Sequence, residues 1–137
     1  MSEFYSLKIS QIDKLTANAV NLKLELPQNL KDSYEFKPGQ YLTLKADING
    51  ESVRRAYSIS AAPSEDYLSV GIKKVKGGIF STFAVEKLNE GDHLDVMTPL
   101  GTFFWTPNSN IQNIALLAAG SGITPMMSIT KSVLNSN

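Results

Sequence analysis

The sequence has no cysteine. Disulfides, thiolate catalysis and a Cys-ligated zinc or iron-sulfur centre are therefore excluded within these residues. It also has no surplus of charge. Thirteen Lys and Arg balance thirteen Asp and Glu among 137 residues, so no global field draws the chain to nucleic acid or to an anionic membrane. Any anionic ligand has to be held by local groups. The opening stretch MSEFYSLKIS lacks a basic region followed by an apolar one, and no apolar run is long enough to span a bilayer. A cytoplasmic setting is the expectation that follows. Internal repeats, charge blocks and low-complexity segments are missing as well, although the end from Ser132 to Asn137 reads as a frayed terminus. The single histidine, His93, begins an expected strand after Gly91-Asp92 with no partner nearby in sequence, so it is assigned to structure rather than catalysis.

What the chain does have is 42% hydrophobic residues, enough for one sizeable core and a short extension but not for two complete domains. From the start to about Trp105, short apolar-polar alternations are separated by turn residues, the pattern of an antiparallel sandwich or barrel. Strands are expected near Leu7–Leu15, Ala19–Leu26, Gln40–Ala46, Val53–Ser60, Tyr67–Val75 and His93–Met97. Pro38-Gly39, Asn49-Gly50, Pro63-Ser64, Gly77-Gly78 and the stretch from Pro99 to Gly101 supply the turns, and Asn49-Gly50 is the clearest hairpin signal. Ile79, Phe83 and Leu88 keep a helix-like spacing after paired glycines, so one short helix should interrupt the strands.

After Trp105 the texture changes. Residues 106–110 read as a linker, and Ile114 to Ala119 form a continuous apolar run that suits a strand buried on both faces. A glycine turn, Gly120-Ser121-Gly122-Ile123-Thr124-Pro125, then leads into a helix-forming stretch from Met126 to Leu134, the order in which a nucleotide-binding α/β domain opens. The expected architecture is therefore mainly β: a six-stranded antiparallel Greek-key barrel with one short helix over residues 1–106, followed by the first β-α unit of an α/β domain over residues 107–137, with the chain stopping inside that second domain.

Three elements can carry chemistry. Arg55-Ala56-Tyr57-Ser58 lies on an expected strand, where pleating puts Arg55 and Tyr57 on one face and Ser58 on the other. A guanidinium beside a phenol suits a ligand with a phosphate and a flat ring, although the four residues alone favour an edge-strand Arg and Tyr snorkelling over a core. Gly77-Gly78-Ile79-Phe80-Ser81-Thr82 puts flexible glycines before a helix start, where free N–H groups and hydroxyls can bind a diphosphate; the plainer reading is a turn with an N-cap hydroxyl. The Gly120 to Pro125 turn admits close backbone approach, but Pro125 stands where the dinucleotide fingerprint has its last glycine. Trp105 with Phe103-Phe104 is read as packing at a domain junction, and Met126-Met127 as filling a helix-sheet gap rather than binding metal.

In this order, the three elements resemble the ferredoxin-NADP reductase superfamily over essentially the whole chain. Phe36-Lys37-Pro38-Gly39-Gln40-Tyr41 resembles that family's Pro-Gly-Gln-Tyr segment, and Pro99-Leu100-Gly101-Thr102-Phe103 its Pro-x-Gly-x-Phe turn. Within the superfamily the motifs look most like the reductase components of bacterial oxygenases, the phenylacetyl-CoA oxygenase reductases in particular.

The resemblance implies FAD as cofactor, NAD(P)H as co-substrate of the whole protein, and an oxygenase or ferredoxin-type electron acceptor as partner. It also implies a possible [2Fe-2S] domain beyond this chain, and no metal ligand within it. Arg55 would pair with the flavin diphosphate, Tyr57 lie against the isoalloxazine, and the Ser58 hydroxyl approach flavin N5, which requires a bend, bulge or strand end at Ser58. Val75 and Lys76 would act through backbone groups before the diphosphate loop of Gly77 and Gly78. Ser81 and Thr82 compete for the hydroxyl role, with spacing favouring Ser81, while Gly120, Gly122 and Thr124 would face the nicotinamide. Two alternatives stay open: the electron-transfer subunit of a dehydrogenase, and a non-enzymatic flavin-binding or small-barrel module. An oligonucleotide-binding barrel is disfavoured because a basic groove is lacking.

Overall fold

The alternation of apolar and polar residues decides which way each strand faces. In a computed structural model that describes residues 3–111 and 113–136, β2 (Ala19–Glu25) turns Val20, Leu22 and Leu24 inward, opposite Ile72, Val70 and Leu68 of β5 (Tyr67–Lys73). Leu42 and Leu44 of β3 (Tyr41–Ile48) and Leu94 and Val96 of β6 (His93–Met97) complete the same core and are essentially without exposure. Burying such a side chain contributes about 1.5–3 kcal/mol, which is why the pattern, rather than strand propensity, fixes the register.

β1 (Phe4–Thr16) is the corner of the barrel. Its first part, Phe4 to Lys8, pairs with β6, whereas Ile9 onward pairs with β2 after a register shift between Ile9 and Gln11. An extra residue at that point bends the strand and lets one segment serve two neighbours. The whole sheet runs β4-β3-β6-β1-β2-β5, all antiparallel. β4 (Glu51–Ser58) pairs with β3 through the Asn49-Gly50 hairpin, where Asn49 and Gly50 both have positive φ, as a tight two-residue connection demands.

The sheet curls until its two end strands, β4 and β5, meet. They are joined by an isolated Ile59–Val70 bridge and by the Ser60 N–H, which donates to the Ser69 carbonyl at 2.8 Å. Elsewhere a seam stays open between them, so the barrel is a half-barrel with a gap. Helix α1 (Ile79–Glu86) plugs the opening with Phe80 and Ala84, each 1% exposed. Two 3-10 turns, Gln28–Leu30 and Asp32–Tyr34, were not expected from the sequence. The second buries Tyr34, whose hydroxyl donates to the Val96 carbonyl at 2.6 Å and is pushed above the usual tyrosine range chiefly by burial.

Beyond Trp105 the sequence reading needs two corrections. Ile114 to Ala119 belong to no strand, and the run is exposed, Leu117 by 89%. A strand buried on both faces needs neighbours on both sides, and no described strand runs beside it. The end of the chain is not frayed through Ser132 either, because α2 (Ile123–Leu134) extends through it and docks on the loop after β4. Ser128 Oγ donates to the Ala61 carbonyl at 2.5 Å, Lys131 pairs with Glu65 at 3.1 Å, and Asn135 Nδ2 donates to Ser64 Oγ at 3.1 Å. Trp105 sits at this junction: its backbone N–H donates to the Pro38 carbonyl at 2.9 Å, and it lines a hollow with Pro63 and Ser132.

Candidate functional site

The seam between β4 and β5 is where the chemistry-bearing residues converge. Each of these strands has one named neighbour only, so each offers an unpaired backbone edge. A cleft of about 400 Å³ opens there. Its walls are Arg55, Ala56, Tyr57 and Ser58 of β4, Gly71 and Lys73 of β5, Val75 and the stretch from Gly78 to Ser81 around the start of α1, and Ser121 and Thr124 at the start of α2.

Register explains the β4 wall. Arg55 and Tyr57 stand opposite Leu44 and Leu42, which face the core, so both point to the concave side. Arg55 lies near the rim and stays exposed; its Nη1 donates to the Arg54 carbonyl at 2.7 Å. Neither Arg55 nor Lys73 has a carboxylate within 4.0 Å among the described residues. Tyr57 lies deeper, its ring 5.8 Å from that of Phe80 at 38°. Burial raises the Tyr57 hydroxyl pKa and the Arg55 charge only partly offsets it, so the phenol is neutral at working pH. Ser58 is the last residue of β4, and at this strand end it reaches the cleft although regular pleating would turn it away.

The start of α1 forms another wall, with donors of the kind that suit an anion. Gly77, at φ 75°, turns the chain, and the first helical bond runs from the Thr82 N–H to the Gly78 carbonyl at 3.1 Å. The N–H groups of Ile79, Phe80 and Ser81 are left outside the helical ladder, and the first turn carries no acidic residue. Gly78 has no room for a side chain: a Cβ there would lie 2.5 Å from Ser81 Oγ and 2.5 Å from Val75 Cγ2. Ser81 Oγ accepts from the Val75 N–H at 3.2 Å, which leaves its own proton available to a ligand.

The expected site residues divide accordingly. Arg55, Tyr57, Ser58, Val75, Gly78, Ser81 and Thr124 line the cleft together. Lys76, Gly77, Thr82, Gly120 and Gly122 do not. Thr82 faces a separate groove, because consecutive helical residues diverge by about 100°. The backbone groups of Val75 are already engaged: its N–H donates to Ser81 Oγ and its carbonyl accepts from the Gly78 N–H. Open space surrounds Gly120 and Gly122, and that turn reaches the cleft through Ser121 and Thr124 instead. Thr124 Oγ1 donates to the Ser121 carbonyl at 2.9 Å, and its methyl packs on Gly71. Ala56, Gly71, Lys73, Ile79, Phe80 and Ser121 also line the cleft without having been singled out. Lys73 carries no local signal, since its place depends on β5 curling round to meet β4.

The titratable groups on these walls are Arg55, Tyr57 and Lys73. With no carboxylate or imidazole among them, the walls bind and orient rather than relay protons. Unpaired cations, a helix start and a half-buried phenol fit a flat ring carrying phosphates. A slightly larger hollow of about 480 Å³, beside the 3-10 turns, fits such a ligand poorly because Asp32, Glu35, Glu65 and Asp66 line it. Among the described residues no group of three or more His, Asp or Glu could hold a metal ion, and no helix is long and apolar enough to cross a membrane.

Comparison with known proteins agrees with this geometry. The family profile for the oxidoreductase FAD-binding domain matches residues 6–105. A component of the 1,2-phenylacetyl-CoA epoxidase of Escherichia coli K12 is 42% identical over 98% of this chain and 38% of its own length. The ferredoxin reductase component of the Rhodococcus rhodochrous 3-ketosteroid-9-alpha-monooxygenase is 37% identical over 93% of the chain and 36% of its own length. The chain thus spans less than half the length of these relatives. Among solved structures, phthalate dioxygenase reductase, described as a modular structure for electron transfer from pyridine nucleotides to [2Fe-2S], superposes with a TM-score of 0.79 at 27% identity, covering 98% of this chain and 40% of that one. The FAD/NAD-binding domain of a Vibrio cholerae nitric oxide dioxygenase shares the fold, with a TM-score of 0.85 at 22% identity, covering 98% of this chain and 58% of that one. By sequence, fold and the cleft in its barrel seam, the chain belongs to the oxidoreductase FAD-binding domain family of ferredoxin reductase-like proteins.

Proposed function

We propose that the seam cleft holds the isoalloxazine and diphosphate of FAD, and that in the whole protein this flavin carries electrons from NAD(P)H to an oxygenase or ferredoxin-type acceptor, directly or through a [2Fe-2S] domain. The observation that carries the reading is the meeting of Arg55, Tyr57, Ser58, the α1 start and Thr124 at one cleft. The relatives that are reductase components of oxygenase systems support the choice of acceptor.

A bound flavin supplies the redox chemistry, accepting a hydride and releasing electrons one at a time. The chain's own residues do the rest. Arg55 grips phosphate oxygens, with Lys73 adding charge nearby. The N–H groups of Ile79 to Ser81 and the Ser81 hydroxyl hold the diphosphate, and the tight Gly78 turn brings them close to it. Neutral Tyr57 offers its face to the ring, and the Ser58 hydroxyl at the strand end hydrogen-bonds N5, setting its orientation. Residues 1–106 then form the flavin domain and residues 107–137 the start of the nucleotide domain, a division consistent with the family match ending at residue 105. A cytoplasmic setting suits a protein that draws on NAD(P)H.

The test is mass analysis of cofactor released from the purified, yellow 137-residue chain. FAD is expected. A colourless protein that gains no flavin absorbance on titration, or one that takes up FMN alone, overturns the assignment.

A further inference from the structure

Gly71 sits inside β5, where a glycine weakens the strand and marks the close approach of another part of the chain. Its φ is not positive, so the backbone does not require glycine there. The reason lies in space. A Cβ on residue 71 would stand 2.8 Å from Thr124 Cγ2, and beyond the adjacent residues no other described atom comes within 4 Å of that position. The same two residues border two hollows. Gly71 and Thr124 line both the seam cleft and a groove of about 470 Å³ whose other walls include Leu15, Asn21 and Met127, so their contact is the partition between them. Hydrogen bonds do not hold α2 at this point. Its side-chain bonds to the barrel come from Ser128, from Lys131 and from Asn135 just past its end. Among the described residues none joins residues 120–127 to the barrel. Packing by Thr124 and the buried Pro125 seats the first turn instead.

Thr124 Oγ1 donates to the Ser121 carbonyl at 2.9 Å, so a shift of Thr124 passes on to Ser121, which lines the cleft with Tyr57 and Ser58. We infer that Gly71 is a positioning residue for the redox site. By carrying no side chain it lets Thr124 seat on the β5 backbone, and so fixes how closely the wall of Ser121 and Thr124 stands to the flavin ring. This rests on the reading of the seam cleft as the flavin site. Ordinary contact begins at 3.4 Å, so a methyl group added at residue 71 has to push that wall outward. An error of about 1 Å in a reacting geometry can cost ~100-fold in rate. A competing role for the glycine is to leave room for the ligand itself. The two roles differ in one respect: only the first depends on the Thr124 methyl.

The test uses the 137-residue chain with FAD added and needs no turnover. Visible absorption and circular dichroism of the flavin are recorded for the parent, Gly71→Ala and Gly71→Ala with Thr124→Ser, and backbone amide resonances are recorded for the flavin-free proteins. In Gly71→Ala the flavin bands should shift and the amide signals of Ser121 and Gly122 should move, while those of Ser128 to Lys131 stay in place. Removing the Thr124 methyl in the double variant should return both sets of signals toward the parent. Flavin bands equal to the parent in Gly71→Ala overturn the inference. So does a band shift that the double variant leaves in place, which assigns the glycine to ligand room. If Gly71→Ala alone does not fold, recovery of the fold and of parent-like bands in the double variant supports the inference, and failure to recover overturns it. A parent chain that takes up no FAD overturns the seam reading and the inference with it, whatever the amide signals do.

Discussion

The methyl group of Thr124 stands where a side chain on residue 71 would be: a Cβ built on Gly71 falls 2.8 Å from Thr124 Cγ2. The start of α2 therefore packs directly on the backbone of β5, beside the cleft. Gly71→Ala should cost about 1–3 kcal/mol, the range for forcing a methyl into a filled site. Thr124→Ser keeps the hydroxyl that bonds Ser121 but removes the methyl, so in the double variant most of that loss should return. Urea unfolding of all four proteins measures the coupling, and strictly additive effects would show that this contact is not what excludes a side chain at 71.

Arg55 and Tyr57 should fail in different ways. Loss of a charge-assisted contact to phosphate in Arg55→Ala is expected to weaken flavin binding by about 2 kcal/mol, more than tenfold. Raising the salt should shrink the difference between variant and parent, because screening already weakens the parent's contact. Fluorescence titrations at low and high ionic strength decide it.

Tyr57 is half-buried against Phe80 and neutral, so its contribution is one of surface and not of charge. Tyr57→Ala should cost about 1–3 kcal/mol of flavin affinity with little dependence on salt, on the scale of base-aromatic stacking. Tyr57→Phe should retain most of it. A Phe variant as weak as the Ala variant would mean that the hydroxyl, not the ring, meets the ligand.

How far the sequence revealed this site follows from what kind of information each residue carries. The strands were legible because Val20, Leu22 and Leu24 alternate with polar neighbours, and a period of two survives whatever the strand pairs with. Arg55, Tyr57 and Ser81 were legible because their neighbours form short motifs. Tyr34 was not, since a single buried tyrosine between Pro27 and Pro38 leaves no periodic trace. Lys73 and Gly71 were hidden for another reason: their meaning depends on two strands at opposite ends of the sheet order coming together. The run from Ile114 to Ala119 misled because apolar content specifies burial but cannot supply the neighbouring strands that burial requires.

Acid should loosen α2 from the barrel. Burial works to raise the Glu65 pKa, but bonds from the Tyr67 hydroxyl, the Ala62 N–H and Lys131 outweigh it and hold the carboxyl below the ordinary glutamate value of 4.5. A lowered folded pKa means stability fully present above 4.5 and lost as pH falls through the folded value. Tyr67, pushed up to about 12 by the same bond, keeps its contribution until pH rises past the ordinary 10.0. Glu65→Gln should therefore be less stable than the parent at neutral pH and show a flatter decline as pH falls below 4.5 in thermal unfolding. Parallel curves for the two proteins would exclude Glu65 as the acid-sensitive tie.

The FAD-loaded 137-residue chain should keep its flavin absorbance when mixed with stoichiometric NADPH. Hydride transfer needs reacting atoms about 3–3.5 Å apart and aligned, whereas Gly120 and Gly122 lie outside the cleft and the run before them is unpaired. Rapid anaerobic bleaching in a stopped-flow instrument would contradict this.

A cofactor seated in the open seam between β4 and β5, as proposed, would also be a part of the scaffold. A molecule lodged there bridges two strand edges that otherwise meet at the Ile59–Val70 bridge and the neighbouring Ser60–Ser69 bond. The apoprotein should then breathe along this line, with amide hydrogens of Arg55 to Ser58 and Gly71 to Lys73 exchanging fastest among the barrel strands. Occupancy would slow them by the factor that mass action sets, 1 + [L]/Kd, for whatever fraction of opening expels the ligand. Flavin supply would then set the lifetime of the folded chain as well as its redox competence.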